Sequence, residues 1–168
     1  MNKEDKGYFL SLCKAVNAVN AKYIDTKSIV TGYWIRYKCR FGCPRYNKSL
    51  CCPPNSPHVD ETRKMISEFT LGLLIHFKSL AEVTKAIVKI EREIFLKNYY
   101  KVISFGGGPC KLCKTCEKTV CKFPKLARPS MEGCGIDVYA TVINNNFPIH
   151  VLTSKEQNQN AYGLILIE

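Results

Sequence analysis

Ten cysteines in 168 residues constrain this chain more than any other feature, because eight of them fall in two short runs. The first run holds Cys39, Cys43, Cys51 and Cys52; the second holds Cys110, Cys113, Cys116 and Cys121. Cys13 and Cys134 stand apart. Thiols this dense serve as disulfides in an oxidising compartment and as metal or redox groups in a reducing one. The opening Met1-Asn2-Lys3-Glu4-Asp5-Lys6 leads into no long apolar run, so a secretory signal is not expected. The longest aliphatic stretch, Leu71-Gly72-Leu73-Leu74-Ile75, is far shorter than a membrane span. The expectation is a cytoplasmic protein with reduced thiols and no membrane attachment. Eight clustered thiols without metal would be an oxidation hazard, which makes metal the first expectation.

The spacing of the second run, Cys110-x2-Cys113-x2-Cys116-x4-Cys121 followed by Pro124, suits a cuboidal iron–sulfur cluster. A short winding loop with cysteines three residues apart can present each thiolate to a different iron. Bacterial ferredoxins use Cys-x2-Cys-x2-Cys-x3-Cys-Pro, which is close but not identical. Structural zinc sites usually pair two separate knuckles. Cys113 and Cys116 are too close to belong to independent knuckles, so zinc would need a partner from the first run. In that run, Cys39-x3-Cys43-x7-Cys51-Cys52-Pro53-Pro54, adjacent side chains usually point apart. Cys52 is therefore expected to ligate with Cys39 and Cys43, and Cys51 has the looser claim. A fourth ligand from Cys51 or Cys121 would close the site for electron transfer. Without one, an iron is open and could bind a substrate as a Lewis acid. The spacing does not match the Cys-x3-Cys-x2-Cys of radical-SAM enzymes.

The remaining candidates read as structural. Cys13 lies on an apolar helical stripe with Phe9, Leu12 and Val16 and is expected in the core. Cys134 reads as a core thiol, with a spare ligand as the other reading. His58, His76 and His150 are scattered, and His76 reads as a satisfied core histidine. No Ser–His–Asp arrangement and no phosphate-binding loop of the Walker type appears. Gly106-Gly107-Gly108 could cradle an anion through its backbone N–H groups; the preferred reading is that it lets the backbone approach cluster sulfurs and donate hydrogen bonds to them.

The formal charge of +11 invites a nucleic-acid reading. Two four-thiolate sites of about −2 each would leave roughly +7. Lys111, Lys114, Lys118, Lys122, Lys125 and Arg128 interleave with or follow the second run, where cations favour thiolates. Local charge balance is therefore preferred over a nucleic-acid face, and an acidic protein partner, such as a redox protein, stays open.

One domain spanning residues 1–168 is expected, since no linker or repeat divides the chain. The patterns predict helices over 5–20, from Ser56-Pro57 to Phe69, over 79–97 with a Ser79/Glu82 capping box, and over 129–144 starting near Pro129. They predict strands over 28–38, 71–77, Tyr100–Phe105 and 161–167. The segment 39–57, with its four prolines, reads as a loop. Strand–helix–strand alternation from 71 to 105 argues for an α/β fold with a mostly parallel sheet and two cysteine-rich metal-binding loops. Ligands in such sheets sit beyond the carboxyl ends of strands, where the two runs could meet.

Three blocks of the chain resemble the predicted metal-binding proteins of domain of unknown function 2284. They are Lys38-Cys39-Arg40-Phe41-Gly42-Cys43-Pro44 through Ser49-Leu50-Cys51-Cys52-Pro53-Pro54-Asn55-Ser56-Pro57, then Gly108-Pro109-Cys110 through Cys121-Lys122-x-Pro124, and Ala127-Arg128-Pro129-Ser130-Met131-Glu132-Gly133-Cys134-Gly135-Ile136-Asp137-Val138. The resemblance implies metal binding by both cysteine runs and brings no established reaction with it. Asn47 stands where glycine is expected; asparagine tolerates a left-handed backbone, so a turn survives. Gly133 stands where alanine is expected, which would weaken a helix there by about 1 kcal/mol. In the third block, Pro129 reads as a helix start, Arg128 as locally paired and Glu132 as complementing the helix dipole; the alternative is that these polar residues line a pocket over a cluster.

Three functions stay open at this stage. They are electron transfer through one or two [4Fe–4S] clusters, in a redox protein or an accessory to an anaerobic enzyme; an enzyme with an open iron at the 39–52 run acting on a small substrate; and a zinc-stabilised binding module.

Overall fold

The computed structural model describes residues 1–154 and 156–168. In chain order the elements are α1 (Lys3–Ala15), β1 (Asn20–Asp25), α2 (Tyr33–Gly42), α3 (Val59–Ser67), β2 (Leu71–Phe77), α4 (Leu80–Leu96), β3 (Val102–Phe105), α5 (Val138–Asn144) and β4 (Ala161–Ile167). Short 3-10 turns lie at Thr26–Ser28 and Glu132–Cys134.

The two continuous apolar runs of the sequence, β2 and β4, form the middle of one four-stranded sheet of order β1-β2-β4-β3. Each needs burial on both faces, which only a central position between two helical layers supplies. Every pairing is antiparallel, which corrects the expectation of a mostly parallel sheet. The expected β2–α4–β3 unit exists, and β2 and β3 do run the same way. But β4 inserts between them, antiparallel to both. Nothing local tells a last strand which gap it will fill.

Helices α1 and α4 cover one face of the sheet. There Phe9 and Cys13 meet Leu73, Ile75 and Phe77 of β2, and Ile87 and Ile90 meet Ile165 of β4. Gly163 of β4 lets α4 approach closely: a Cβ there would lie 2.6 Å from Ile87 Cγ2. The other face carries Leu74, Leu164 and Leu166 against Ile66, Phe69, Met131, Cys134, Ile136 and Val142. Both isolated cysteines, Cys13 and Cys134, are thus core thiols.

Three local expectations change. α1 stops at Ala15 because Asn17 takes a left-handed φ of 62° and turns the chain into β1, an edge strand whose sequence is too polar to announce itself. The strand expected over 28–38 is instead an extended approach ending at Gly32, followed by α2. Its aromatic and β-branched residues suggested a strand, but tertiary context overrides that preference. The helical phase buries Ile35 and turns Arg36 inward while Tyr33, Trp34, Tyr37 and Phe41 stay exposed. The helix expected over 129–144 is broken. Pro129–Ser130 pairs with Gly106, Gly135 sits at φ 82°, and α5 begins only at Val138, capped by Asp137 Oδ1 on the Ala140 N–H at 3.0 Å. Gly135 is needed for more than its φ, since a Cβ would lie 2.5 Å from Val59 Cγ2.

The caps partly follow the sequence. Ser79 Oγ accepts the Ala81 N–H at 3.2 Å. Pro57 lies outside α3, and the true cap is His58, whose backbone N–H donates to Glu61 Oε2 at 2.7 Å. Among the described residues no helix is long and apolar enough to cross a membrane.

Candidate metal centre

All of the second cysteine run and all of the first but Cys39 lie on excursions pinned at their necks to one short segment, residues 129–133. The excursion 107–129 leaves after β3 and returns beside its own start. Gly106 N–H donates to Pro129 O at 2.8 Å, and Met131 N–H donates to Gly106 O at 3.1 Å. Arg128 fastens the return to α4 with a two-pronged grip on Glu91, Nε to Oε2 at 2.8 Å and Nη2 to Oε1 at 3.0 Å. Ser104 of β3 donates to the same carboxylate. The pairing of Arg128 is therefore long-range as well as local, where it also donates to Ala127 O at 2.8 Å.

The excursion 43–57 is held by Arg36. Its Nη1 donates to Gly133 O at 2.7 Å, Ser56 Oγ at 2.9 Å and Pro57 O at 2.9 Å. Buried Ser56 adds its own hydroxyl to Gly133 O at 2.7 Å. Asn47 takes φ 54° and donates its N–H to Pro53 O at 2.7 Å, the left-handed turn expected at that position. Gly133 lies in the 3-10 turn rather than in a helix, so helix propensity is not at issue there. A Cβ on it would come within 3.1 Å of Ser130 Oγ and 3.4 Å of Cys51 O.

Pinned in this way, the excursions bring thiols of the two runs together. Cys51, Cys110, Cys113, Cys116 and Cys121 line one cavity of about 240 Å³, with Arg45, Lys48, Lys114 and Lys122 around it. Cys51, from the first run, thus faces Cys110 and Cys121 of the second. Burial first, then the neighbouring Cys110 and Cys121 thiols, pushes the Cys51 thiol up to about 12. Cys113 is raised by desolvation and by Cys116, Cys110 and Cys121. These groups resist ionising together because each thiolate repels the next; a bound cation removes that penalty.

Cys39, Cys43 and Cys52 form a separate group. Cys39 lies in the last turn of α2 and Cys43 follows the helix, four residues on and so on the same side. The helix, rather than the expected strand, delivers Cys39. Burial raises Cys39, and Cys43, Glu132 and Cys52 raise it further. Adjacent Cys51 and Cys52 thus face different ways, Cys51 toward the second run and buried Cys52 toward Cys39. Among the described residues no three His, Cys, Asp or Glu side chains converge tightly enough to hold a single ion.

Beside Cys39 and Cys43 opens a cleft of about 620 Å³, bounded by α2 on one side and residues of 132–162 on the other. Glu132 lines it, and burial raises its carboxyl above the usual range. His76, expected in the core, is 5% exposed, stacks on Tyr162 at 4.8 Å and bonds Asn160 Oδ1 through Nε2 at 2.9 Å. Cys13 and Cys134 are each pushed up to about 12 by burial, as inert core thiols should be.

Sequence reasoning did not find Arg36 or Glu91, because an arginine on a helix and a glutamate on another carry no local signal of their partners. It weighed Glu132 as a possible pocket residue and preferred a dipole role. The residue lies instead in an isolated 3-10 turn and faces the cleft.

A chain with this cysteine architecture belongs to the family described as predicted metal-binding protein (DUF2284), which it matches over residues 22–167. Among curated proteins and among solved structures, none matches it.

Proposed function

We propose that this member of a predicted metal-binding family holds a [4Fe–4S] cluster on Cys110, Cys113, Cys116 and Cys121, and that it serves electron transfer. The observation carrying the proposal is the shared cavity, in which five thiols supply the donors, Glu117 is paired with Lys122 at 2.6 Å, and basic residues supply the compensating charge. When bound, such a cluster takes up and passes on one electron at a time. The chain's own residues do the rest. Arg128 and the Gly106–Pro129 neck hold the ligand loop against α4 and β3. Lys114, Lys122, Lys48 and Arg45 offset the thiolates. Cys51 lies beside Cys110, and its thiol would donate to a cluster-bound Cys110 sulfur, which favours the more negative, reduced state. The net positive chain suits an acidic redox partner, and free thiols suit a reducing, cytoplasmic setting.

A second reading concerns Cys39, Cys43 and Cys52. The large cleft beside two of them favours a second cluster with one iron open to a small substrate.

The test is iron, sulfide and zinc content with a visible spectrum, on anaerobically purified protein. Roughly four irons and four sulfides per chain are expected, or about eight of each if the second site also fills. Cys113→Ser or Cys116→Ser should abolish the first cluster, while Cys13→Ala and Cys134→Ala leave iron unchanged. Cys51→Ala should keep the iron and lower the potential. If Cys51→Ala instead loses iron as fully as Cys113→Ser, the fourth ligand moves from Cys121 to Cys51. Stoichiometric zinc without iron or sulfide overturns the proposal and leaves a zinc-stabilised binding module.

A further inference from the structure

The two excursions that close over the thiol cavity carry more positive charge than a cluster needs. Residues 107–129 hold Lys111, Lys114, Lys118, Lys122, Lys125 and Arg128 against the single carboxylate Glu117. Residues 43–57 add Arg45 and Lys48 and no acid. Two of these cations are satisfied within the chain: Lys122 pairs with Glu117 at 2.6 Å, and Arg128 with Glu91 at 2.8 Å. Among the described residues the others form no ion pair. Arg45, Lys48 and Lys114 line the cavity, and three cations already outweigh a four-thiolate cluster of about −2. Lys111, Lys118 and Lys125 do not line it, and all three are exposed. Local charge balance therefore accounts for the cations at the cavity and leaves these three lysines over.

Apolar side chains are exposed on the same excursion. Val120 is 75% exposed, Leu126 50% and Leu112 39%, and Leu112 and Val120 also line the thiol cavity. Each stands next to or two residues from a surplus lysine: Leu112 by Lys111, Val120 by Lys118, Leu126 by Lys125. Aliphatic groups held in water forgo the stabilisation that burial gives them. Placed among unpaired cations, they make the mixed apolar and polar surface of a protein interface. A nucleic acid would engage the lysines through its phosphates and leave the aliphatic groups unused. The rings on which bases could stack, Trp34, Tyr37 and Phe41, lie on α2 beside the other cleft. The acidic face of a protein engages both kinds of group, its carboxylates steering toward the lysines and its apolar side chains packing on the leucines and the valine.

We propose that the exposed face of residues 107–129 docks the acidic face of a one-electron carrier protein. Lys111, Lys118 and Lys125 steer and orient the carrier. Leu112, Val120 and Leu126 pack against it, which brings it over the thiol cavity that two of them line. The proposal rests on the electron-transfer reading and adds to it the place of docking and the residues that do it. Redox contacts of this kind are small, below about 1,200 Å², so weak and salt-sensitive binding is expected.

The probes are two acidic one-electron carriers, a flavodoxin and a plant-type ferredoxin, and one basic carrier, cytochrome c. Each is titrated by calorimetry into the anaerobically purified protein at low salt, with iron and sulfide measured on the same sample. Saturable binding of the acidic carriers is expected, with none of the basic one. Raising the salt to about 0.3 M should weaken it by about tenfold or more. Lys111→Glu, Lys118→Glu and Lys125→Glu should each weaken it several-fold, with iron content unchanged. Lys3→Glu makes the same charge change at an exposed position of α1, outside both excursions, and should leave binding as it was. Leu126→Ser should also weaken it, which a purely ionic association would not feel. Iron-replete protein that binds neither acidic carrier overturns the proposal. So does a loss from Lys3→Glu equal to that from Lys118→Glu, which would mean that net charge alone acts. Tighter binding of a single strand of about 20 nucleotides than of either carrier, at about 0.15 M salt and lost in Lys118→Glu, overturns it too and assigns the lysines to nucleic acid. Protein without iron fails the cluster reading before any titration, so the two failures are told apart.

Discussion

Replacing Arg36 tests whether one side chain holds the first cysteine excursion to the body of the protein. In Arg36→Ala, Pro57 O and buried Ser56 Oγ lose a charged donor at 2.9 Å, and Gly133 O keeps only the Ser56 hydroxyl. A hydrogen bond from a charged donor contributes about 1.5–3 kcal/mol net. The bonds share one nitrogen and do not add, so the expected loss is about 3 kcal/mol. With an m-value of about 2 kcal/mol/M in urea, the unfolding midpoint falls by about 1.5 M. Arg36→Lys keeps a donor without the planar guanidinium and should lose about half as much. The assay is urea unfolding of reduced, metal-free protein, followed by circular dichroism and by Trp34 fluorescence. The guanidinium also lowers the Cys39 thiol, so Arg36→Ala should slow alkylation of Cys39 at mildly alkaline pH. An Arg36→Ala midpoint within about 0.3 M of the parent would refute the reasoning and mean that the neck is held by packing instead.

Two further perturbations probe the sheet. Gly163→Ala places a methyl 2.6 Å from Ile87 Cγ2 and 2.9 Å from Val83 Cγ1, and should cost about 2 kcal/mol, read as a drop of about 5 °C in melting temperature. His76 has its pKa lowered by burial, against the hydrogen bond to Asn160. Its unfolded form therefore binds a proton first as pH falls through the ordinary histidine value of 6.5, so stability is full above that pH and declines below it, down to the folded pKa. His76→Phe should flatten this part of the stability profile, and an unchanged slope would assign the acid sensitivity to other groups.

The elements best read from the sequence were those whose own residues decide their environment. β2 and β4 announce themselves as unbroken apolar runs, and α4 as a capped 3.6-residue stripe. The core thiols Cys13 and Cys134 and the core histidine His76 were legible for the same reason. α2 was misread because aromatic residues on a helix that borders an open cleft look like residues of a buried strand. The 129–144 segment was misread because its break depends on Gly106, Arg36 and Ser56, all distant in the chain.

The sequence by itself determined the chemistry: ten thiols, eight of them in two runs, with basic residues interleaved through the second. It could do so because ligand type and short-range spacing are local properties. Only the tertiary structure decided which thiols share a cavity, that Cys51 faces the second run while Cys52 lies toward Cys39, and that β4 enters the sheet between β2 and β3. Those outcomes depend on closing long excursions at necks such as Gly106–Ser130 and Arg36–Gly133. Such closures are set by hydrogen bonds between residues far apart in the chain, and no local pattern records them.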